Sequence, residues 1–354
     1  MHASSGGGSV NTRLQAPPRR IASSAVATTG VLRSLPARSY RAALAMCLVG
    51  CSLLAVAAVA VAPSGAAAGG RTRTSATLGS TSGPSCGGVT LYKSNGSVWR
   101  CTFDDEFSGI QLDTAAWTPQ LTATSGFTTG PSAYRACYVN SARNISVSDG
   151  YLNLTARQER QPFTCAAGAR SFTTQYTAGE VTTYYGFRQQ YGRFQVRAKL
   201  PQTTAAGLQE TLWLWPTDDL KYGAWPSSGE IDFAEIYSKY YYLNVPYIHY
   251  VYDPNTRNAS TNTNVVTAYN CQINYAGFNT YILVWLPGRI TIKVNGTTCI
   301  VDNYQAFGLT PPAPFDQPFF LALTQALGVG ANAFDPSTTP LPATTRIDYV
   351  RVWK

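Results

Sequence analysis

The dipeptides Asp149-Gly150 and Asn295-Gly296 each join two runs in which apolar and polar residues alternate. Asp-Gly and Asn-Gly supply the two consecutive positive-φ positions that the tightest hairpin turns require. Ile145 and Val147 lead into the first turn, and Leu152 and Leu154 leave it. Ile290, Ile292 and Val294 lead into the second, and Cys299 and Val301 return. Successive strand side chains point to opposite faces, so each hairpin has one apolar face to bury. The same alternation runs through Phe194, Val196, Ala198 and Leu200, and at the C-terminus through Asp348, Val350 and Val352. No stretch carries the period of a long amphipathic helix. Many short strands separated by Gly, Pro and Asn turns predict an all-β chain, two antiparallel sheets packed as a β-sandwich of jelly-roll type.

One predicted strand is chemically unusual. Gly229-Glu230-Ile231-Asp232-Phe233-Ala234-Glu235 places three carboxylates in a segment that otherwise reads as buried. Glu230 and Asp232 share a face, and simple alternation would turn Glu235 to the other. A bulge at Phe233-Ala234 would reset the count and bring all three together. Two carboxyl groups on one face are what a glycosidase needs, about 5–5.5 Å apart in the retaining class, with one ionised to attack and one protonated to donate. Asp232, lying between them, can hydrogen-bond Glu230 and repel a second charge. Taken alone, E-x-D-x-x-E also describes scattered surface acids or a calcium site. Its setting favours a sugar site: Trp213, Trp215, Tyr222 and Trp225 precede it, and Tyr237, Tyr240, Tyr241 and Tyr242 follow. Aromatic faces pack against the C–H faces of pyranose rings.

Composition agrees with a neutral ligand. The chain carries +9, but residues 1–68 contain six arginines and no acid, which leaves 21 bases against 18 acids in the remainder. A balance so near zero gives no reason to expect nucleic acid as a partner. Only 13% of residues are charged while Tyr alone numbers 22, a mix suited to an extracellular surface that meets hydroxyl-rich ligands.

Ala42 to Ala62 is uncharged and mostly apolar, follows Arg33, Arg38 and Arg41, and is broken by Pro63-Ser64-Gly65 before Ala66-Ala67-Ala68. This pattern predicts a secretory signal cleaved after Ala68. A run of that length can also span a bilayer, so an uncleaved anchor through 42–62 is the second reading. Residues 69–85 are rich in Gly, Ser and Thr and read as a flexible linker; residues 86–354 then form one domain. Removing the leader leaves Cys86, Cys101, Cys137, Cys165, Cys271 and Cys299. An even set in an exported chain implies disulfides, and nearest-neighbour pairing is the expectation. No C-x-x-C occurs and one His remains beyond the leader, which argues against zinc.

The stretch from Trp225-Pro226-Ser227-Ser228 through Glu235 resembles the active-site strand of glycoside hydrolase family 16, in its bulge-containing laminarinase-like branch. Phe103-Asp104-Asp105-Glu106-Phe107, Tyr176-Thr177-Ala178-Gly179, Tyr191-Gly192-Arg193-Phe194, Trp215-Pro216 and Ile347-Asp348-Tyr349-Val350-Arg351-Val352 also fall in the family's order. The resemblance implies a jelly roll with a concave cleft and retaining endo-hydrolysis of β-1,3- or mixed β-1,3/1,4-glucan, with no catalytic cofactor, no protein partner and a monomeric state. It implies Glu230 as nucleophile, Asp232 as assisting acid and Glu235 as acid/base. Trp213 and Trp225 become sugar platforms, and His249 a residue contacting substrate. Glu106, the Gly150 carbonyl and Asp348 become ligands of a structural calcium. The chain departs from the family at Glu180, where an arginine is common, and at Asn279. It also lacks the usual asparagine near Gln325, which is expected to contribute to the cleft instead. These departures leave open another β-glycan such as a galactan, a transglycosylase, or a non-catalytic glycan-binding module on the same fold.

Overall fold

The computed structural model describes residues 85–251 and 265–354. The expected leader and anchor, with Cys47 and Cys51, and all of the linker before residue 85 lie outside the described residues. Among those described, no helix is long and apolar enough to cross a membrane.

The principal strands are β1 (Cys101–Asp105), β2 (Ile145–Ser148), β3 (Tyr151–Ala167), β4 (Arg170–Thr182), β5 (Gly192–Lys199), β6 (Leu208–Pro216) and β7 (Glu230–Tyr237). They continue as β8 (Tyr247–His249), β9 (Val265–Thr267), β10 (Asn279–Leu286), β11 (Arg289–Val294), β12 (Thr297–Asp302), β13 (Phe319–Leu327) and β14 (Ala343–Trp353). The longest α-helix among the described residues is Thr122–Ser125.

Both predicted hairpins form. Ser148 pairs with Tyr151 and Val294 with Thr297, leaving the two-residue turns Asp149-Gly150 and Asn295-Gly296 with every φ positive. One sheet runs β12, β11, β10, β5, β14, after which β14 pairs with β1 near its C-terminus and with β3 near its start. The other runs from the end of β4 through β13, β6, β7, β8 and β9. All these pairings are antiparallel, and spatial neighbours distant in sequence, such as β6 beside β13, give the sandwich its jelly-roll character. The long β3–β4 hairpin contributes to both sheets.

Between the sheets lies the apolar core. Phe194, Val196 and Ala198 of β5 meet Leu212 and Leu214 of β6, Ile231 and Phe233 of β7, and Leu321 and Leu323 of β13. Burying each Leu, Ile or Phe contributes about 1.5–3 kcal/mol, which makes parity along each strand an energetic matter. Disulfides join Cys86–Cys101, Cys137–Cys165 and Cys271–Cys299, the expected pairing.

Asp348 departs from the alternation expected at the C-terminus. Arg197 pairs with Tyr349 and Ala198 with Ile347, so Asp348 is left unpaired in a bulge. That bulge lets Ile347, Val350 and Val352 all face the core, while the Asp348 carboxylate turns outward to an ion pair with Arg197.

Candidate active site

β7 carries the bulge that its three acids require. Ala234 pairs with Leu212 and Asp232 with Trp213, so Phe233 has no partner on β6. Phe233 and Ala234 are both fully buried in the core with Ile231 and Ile236. Glu230, Asp232 and Glu235 consequently share the opposite face, 7%, 4% and 8% exposed. Gly229 delivers the chain into this strand at φ +86°, and a Cβ there would come within 2.7 Å of Phe315. Both constraints exclude a larger residue at that position.

Each acid has its own partners. Trp225 donates its indole N–H to Glu230 Oε2 at 2.6 Å. His249 Nε2 lies 3.3 Å from Asp232 Oδ2, and His249 stands directly opposite Glu230 on β8. Gln209 Nε2 and the Tyr237 hydroxyl both donate to Glu235 Oε1, each at 2.6 Å. Burial pushes all three carboxyls up to about 8. The charge of Asp232 adds to the rise at Glu230 and at Glu235, whereas the bonds from Trp225, Tyr237 and Gln209 oppose it. Such a site holds a proton near neutrality and places donors so that one carboxylate can ionise.

Cross-strand register arranges the rest of this face in rows, because directly opposed residues point the same way. Glu235 stands opposite Thr211, which faces Thr324, which faces Glu180. Asp232 stands opposite Trp213, which faces Ala322, which faces Thr182. Trp215 faces Phe320 beside them. Trp213 and Trp215 pack edge to face at 5.9 Å, and Trp225, 39% exposed, lies 5.3 Å from the His249 ring.

Gln325 is not on this face. It is fully buried with Leu321, Leu323 and Leu327 on the inner side of β13. Its amide donates to Glu210 Oε1 at 2.8 Å, and Thr345 Oγ1 of the facing sheet donates to Gln325 Oε1 at 2.7 Å. Even alternation along β13 puts Thr324 on the site face and Gln325 between the sheets. Gln325 is therefore a residue of the interior, and the expectation of a substrate contact there is corrected. Of the partners of Glu235, Gln209 was missed by the sequence reading, and Tyr237 was named only among the flanking aromatics, not as a hydrogen-bond donor to Glu235. Tyr237 was accessible by parity, two residues beyond Glu235; the placement of Gln209 depends on the β6–β7 register.

The expected calcium ligands are already engaged. Arg351 makes two hydrogen bonds to Glu106, at 2.6 and 2.8 Å, and Arg197 holds Asp348. Gly150 sits in the β2–β3 turn. A cation bound by these oxygens would have to displace two guanidinium groups, so the set as it stands does not fit calcium. Two other clusters have metal-ligand chemistry among the described residues. Cys86, Cys101 and Asp104 form one, but both its sulfurs are in a disulfide. The other is Glu230, Asp232 and His249, whose oxygens are claimed in part by Trp225 and by the histidine itself.

Fold and site together define an antiparallel β-sandwich with buried carboxyl groups and tryptophans sharing one sheet face. The family model for glycosyl hydrolases family 16 matches residues 134–335, more than half of the chain, and the chain belongs to that family. It is 32% identical over 294 residues to glucan endo-1,3-beta-glucosidase A1 of Niallia circulans, covering 78% of this chain and 39% of that one. It is 34% identical over 179 residues to keratan-sulfate endo-1,4-beta-galactosidase of Sphingobacterium multivorum, covering 51% and 40%. The chain thus spans about two fifths of the length of these curated relatives. Among solved structures, a non-specific endo-beta-1,3(4)-glucanase from family GH16 superposes with a TM-score of 0.59 at 25% identity, over 75% of this chain and 93% of that one.

Proposed function

We propose that this protein is an exported retaining endo-glycosidase that hydrolyses β-1,3-linked or mixed β-1,3/1,4-linked glucan. The observation that carries the reading is the bulge at Phe233, which sets Glu230, Asp232 and Glu235 on one face with separate partners. In the first step the Glu230 carboxylate attacks the anomeric carbon. The glycosidic C–O bond breaks, and the Glu235 proton passes to the leaving oxygen. In the second, water gives a proton to Glu235 as its oxygen attacks the same carbon, releasing Glu230. Asp232 lies between them and modulates both charges, while Trp225 and Trp213 offer ring faces to the sugar and His249 borders the nucleophile. No cofactor enters these steps. Three disulfides support an oxidising, extracellular destination, as does the leader pattern. A monomer acting on polysaccharide without a protein partner completes the reading.

The test is release of reducing ends from laminarin by wild type, Glu230→Gln and Glu235→Gln, together with the anomeric configuration of the first product. Wild-type rates in either variant, or an inverted first product, would overturn the assignment. The 34% identity to a keratan-sulfate galactosidase motivates a second reading, cleavage of a galactan. A panel of β-glucans and β-galactans separates the two, and transglycosylation would show as products longer than the substrate. Binding without turnover in folded, oxidised protein would indicate a glycan-binding module instead.

A further inference from the structure

Glu180 is a buried carboxyl on the site face that the proposed chemistry does not use. It is 5% exposed, at the far end of the row that begins at Glu235 and passes through Thr211 and Thr324. Three strand spacings of about 4.8 Å put it roughly 14 Å from the acid/base, beyond the reacting bond but along the same surface.

Its contacts form a directional relay. Thr324 Oγ1 donates to Glu180 Oε2 at 2.9 Å, and the same Oγ1 accepts the indole N–H of Trp213, also at 2.9 Å. A hydroxyl that accepts from one side must give its single proton to the other. The relay therefore runs from indole to hydroxyl to carboxyl, and Glu180 fixes the hydroxyl that fixes Trp213. Only one carboxyl oxygen is used in this way: Glu180 Oε1 takes no hydrogen bond among the described residues.

Across the sheet from this carboxyl the surface turns aromatic. Phe320 packs edge to face with Tyr184 at 5.1 Å, and Tyr184 packs likewise on Tyr185 at 4.8 Å. The two tyrosines are 45% and 75% exposed. Between the aromatic side and Glu180 lie Ala322 and Thr182, 0% and 6% exposed, with Trp213 opposite Ala322 and its indole reaching across β13 to Thr324. An acceptor on one side, tyrosine and phenylalanine rings on the other and the Trp213 indole between them suit a pyranose ring that offers a hydroxyl donor.

We infer that Glu180, with Tyr184 and Phe320, forms a distal glycan subsite that accepts a hydroxyl of a neutral sugar and rejects rings bearing sulfate or carboxylate groups. The inference rests on the glycosidase reading and deepens it, because it states which glycans that surface excludes. A carboxylate facing an anionic substituent at short range is repelled, and the penalty grows as water leaves the interface. A neutral hydroxyl replaces the water it displaces with a charge-assisted hydrogen bond.

Burial pushes Glu180 up to about 7, so the test is run at pH 8, where the carboxylate is ionised; it uses the full-length protein on neutral laminarin, on carboxymethylated laminarin, and on β-1,3-gluco-oligosaccharides of increasing length. Glu180→Gln keeps an acceptor for Thr324 but removes the charge. The wild type is expected to prefer neutral over carboxymethylated polymer in kcat/KM, and Glu180→Gln to narrow that preference about tenfold, the scale of one charged hydrogen bond. The change should lie in KM rather than kcat, and appear only with oligosaccharides long enough to span from the acids to Glu180. Tyr184→Ala, on an exposed side chain that cannot unfold the core, should raise KM about threefold for the same long substrates. An unaltered preference in Glu180→Gln, or equal losses on short and long substrates, would overturn the inference while leaving the glycosidase reading intact. A wild type inactive across the whole glycan panel would overturn both.

Discussion

The two faces of β13, β6 and β7 both bury carboxyl groups, yet they are built for opposite purposes. On the outer face stand Glu230, Asp232 and Glu235; on the inner face stands Glu210, 3% exposed, with Gln325 and Thr345. Burial pushes Glu210 up to about 8, as it does each of the outer acids. The shift is therefore the same on both faces, and it does not distinguish them. What differs is company. The outer acids feel one another's charge and stand among tryptophans on the sheet's outer surface, whereas Glu210 is one carboxyl bonded by the Gln325 amide, which the Thr345 hydroxyl of the facing sheet holds in turn. A raised pKa marks burial, and a group of interacting acids on one face marks chemistry.

Substitution should separate the faces sharply. Glu230→Gln and Glu235→Gln are each expected to lower kcat on laminarin by about 10³-fold or more, the scale of a lost nucleophile or general acid. Neither should lower Tm, since each removes a buried ionisable group. A fall in Tm without loss of turnover would mean that the outer acids are structural.

Glu210→Gln probes the inner face through pH. The folded-state pKa of Glu210 lies above its unfolded value, so the folded protein holds this proton more tightly and wild-type stability falls as pH rises from about 4.3 towards 8. The variant lacks that dependence. Its stability relative to wild type should improve across the same window, by up to about 3 kcal/mol at pH 7. Urea unfolding at pH 5 and pH 7.5 measures the difference, and a constant gap would contradict it.

Gln325→Ala should cost about 2–3 kcal/mol, from three lost hydrogen bonds and a small cavity, with kcat and KM on laminarin within twofold of wild type. A raised KM at constant Tm would return Gln325 to the substrate surface. A smaller effect is expected at Glu235: Tyr237→Phe removes a hydrogen bond that favours the ionised carboxylate, so its pKa should rise. The alkaline limb of kcat/KM should then move up by roughly 0.5–1 pH unit, the size of one hydrogen bond. Finally, because arginines hold Glu106 and Asp348, EDTA should leave Tm unchanged within error. A drop of several degrees would show that calcium displaces them.

Much of the sandwich could be read from the chain because its determinants are local. Asp149-Gly150 and Asn295-Gly296 form turns through their own φ preferences, and the neighbouring cysteines bridge short loops. The bulge at Phe233 was accessible for a related reason: three acids and two core residues in one strand have a single parity solution. Gln325 obeys the same parity rule. It shares parity with Leu321, Leu323 and Leu327, which already placed it in the core, while the family resemblance pointed to the substrate. Asp348 shows the reverse, since alternation placed it inward and a bulge that nothing local announces turned it out.

By itself, the sequence determined the alternating strands, the two hairpin turns and the acids that share β7, because each follows from backbone preference and side-chain parity over a few residues. Only the tertiary structure decided that Gln209 reaches Glu235, that Thr324 links Trp213 to Glu180, and that Gln325 links Glu210 to Thr345 between the sheets. These contacts join residues 20 to 144 positions apart. Their geometry depends on cross-strand register, which the whole packed core sets.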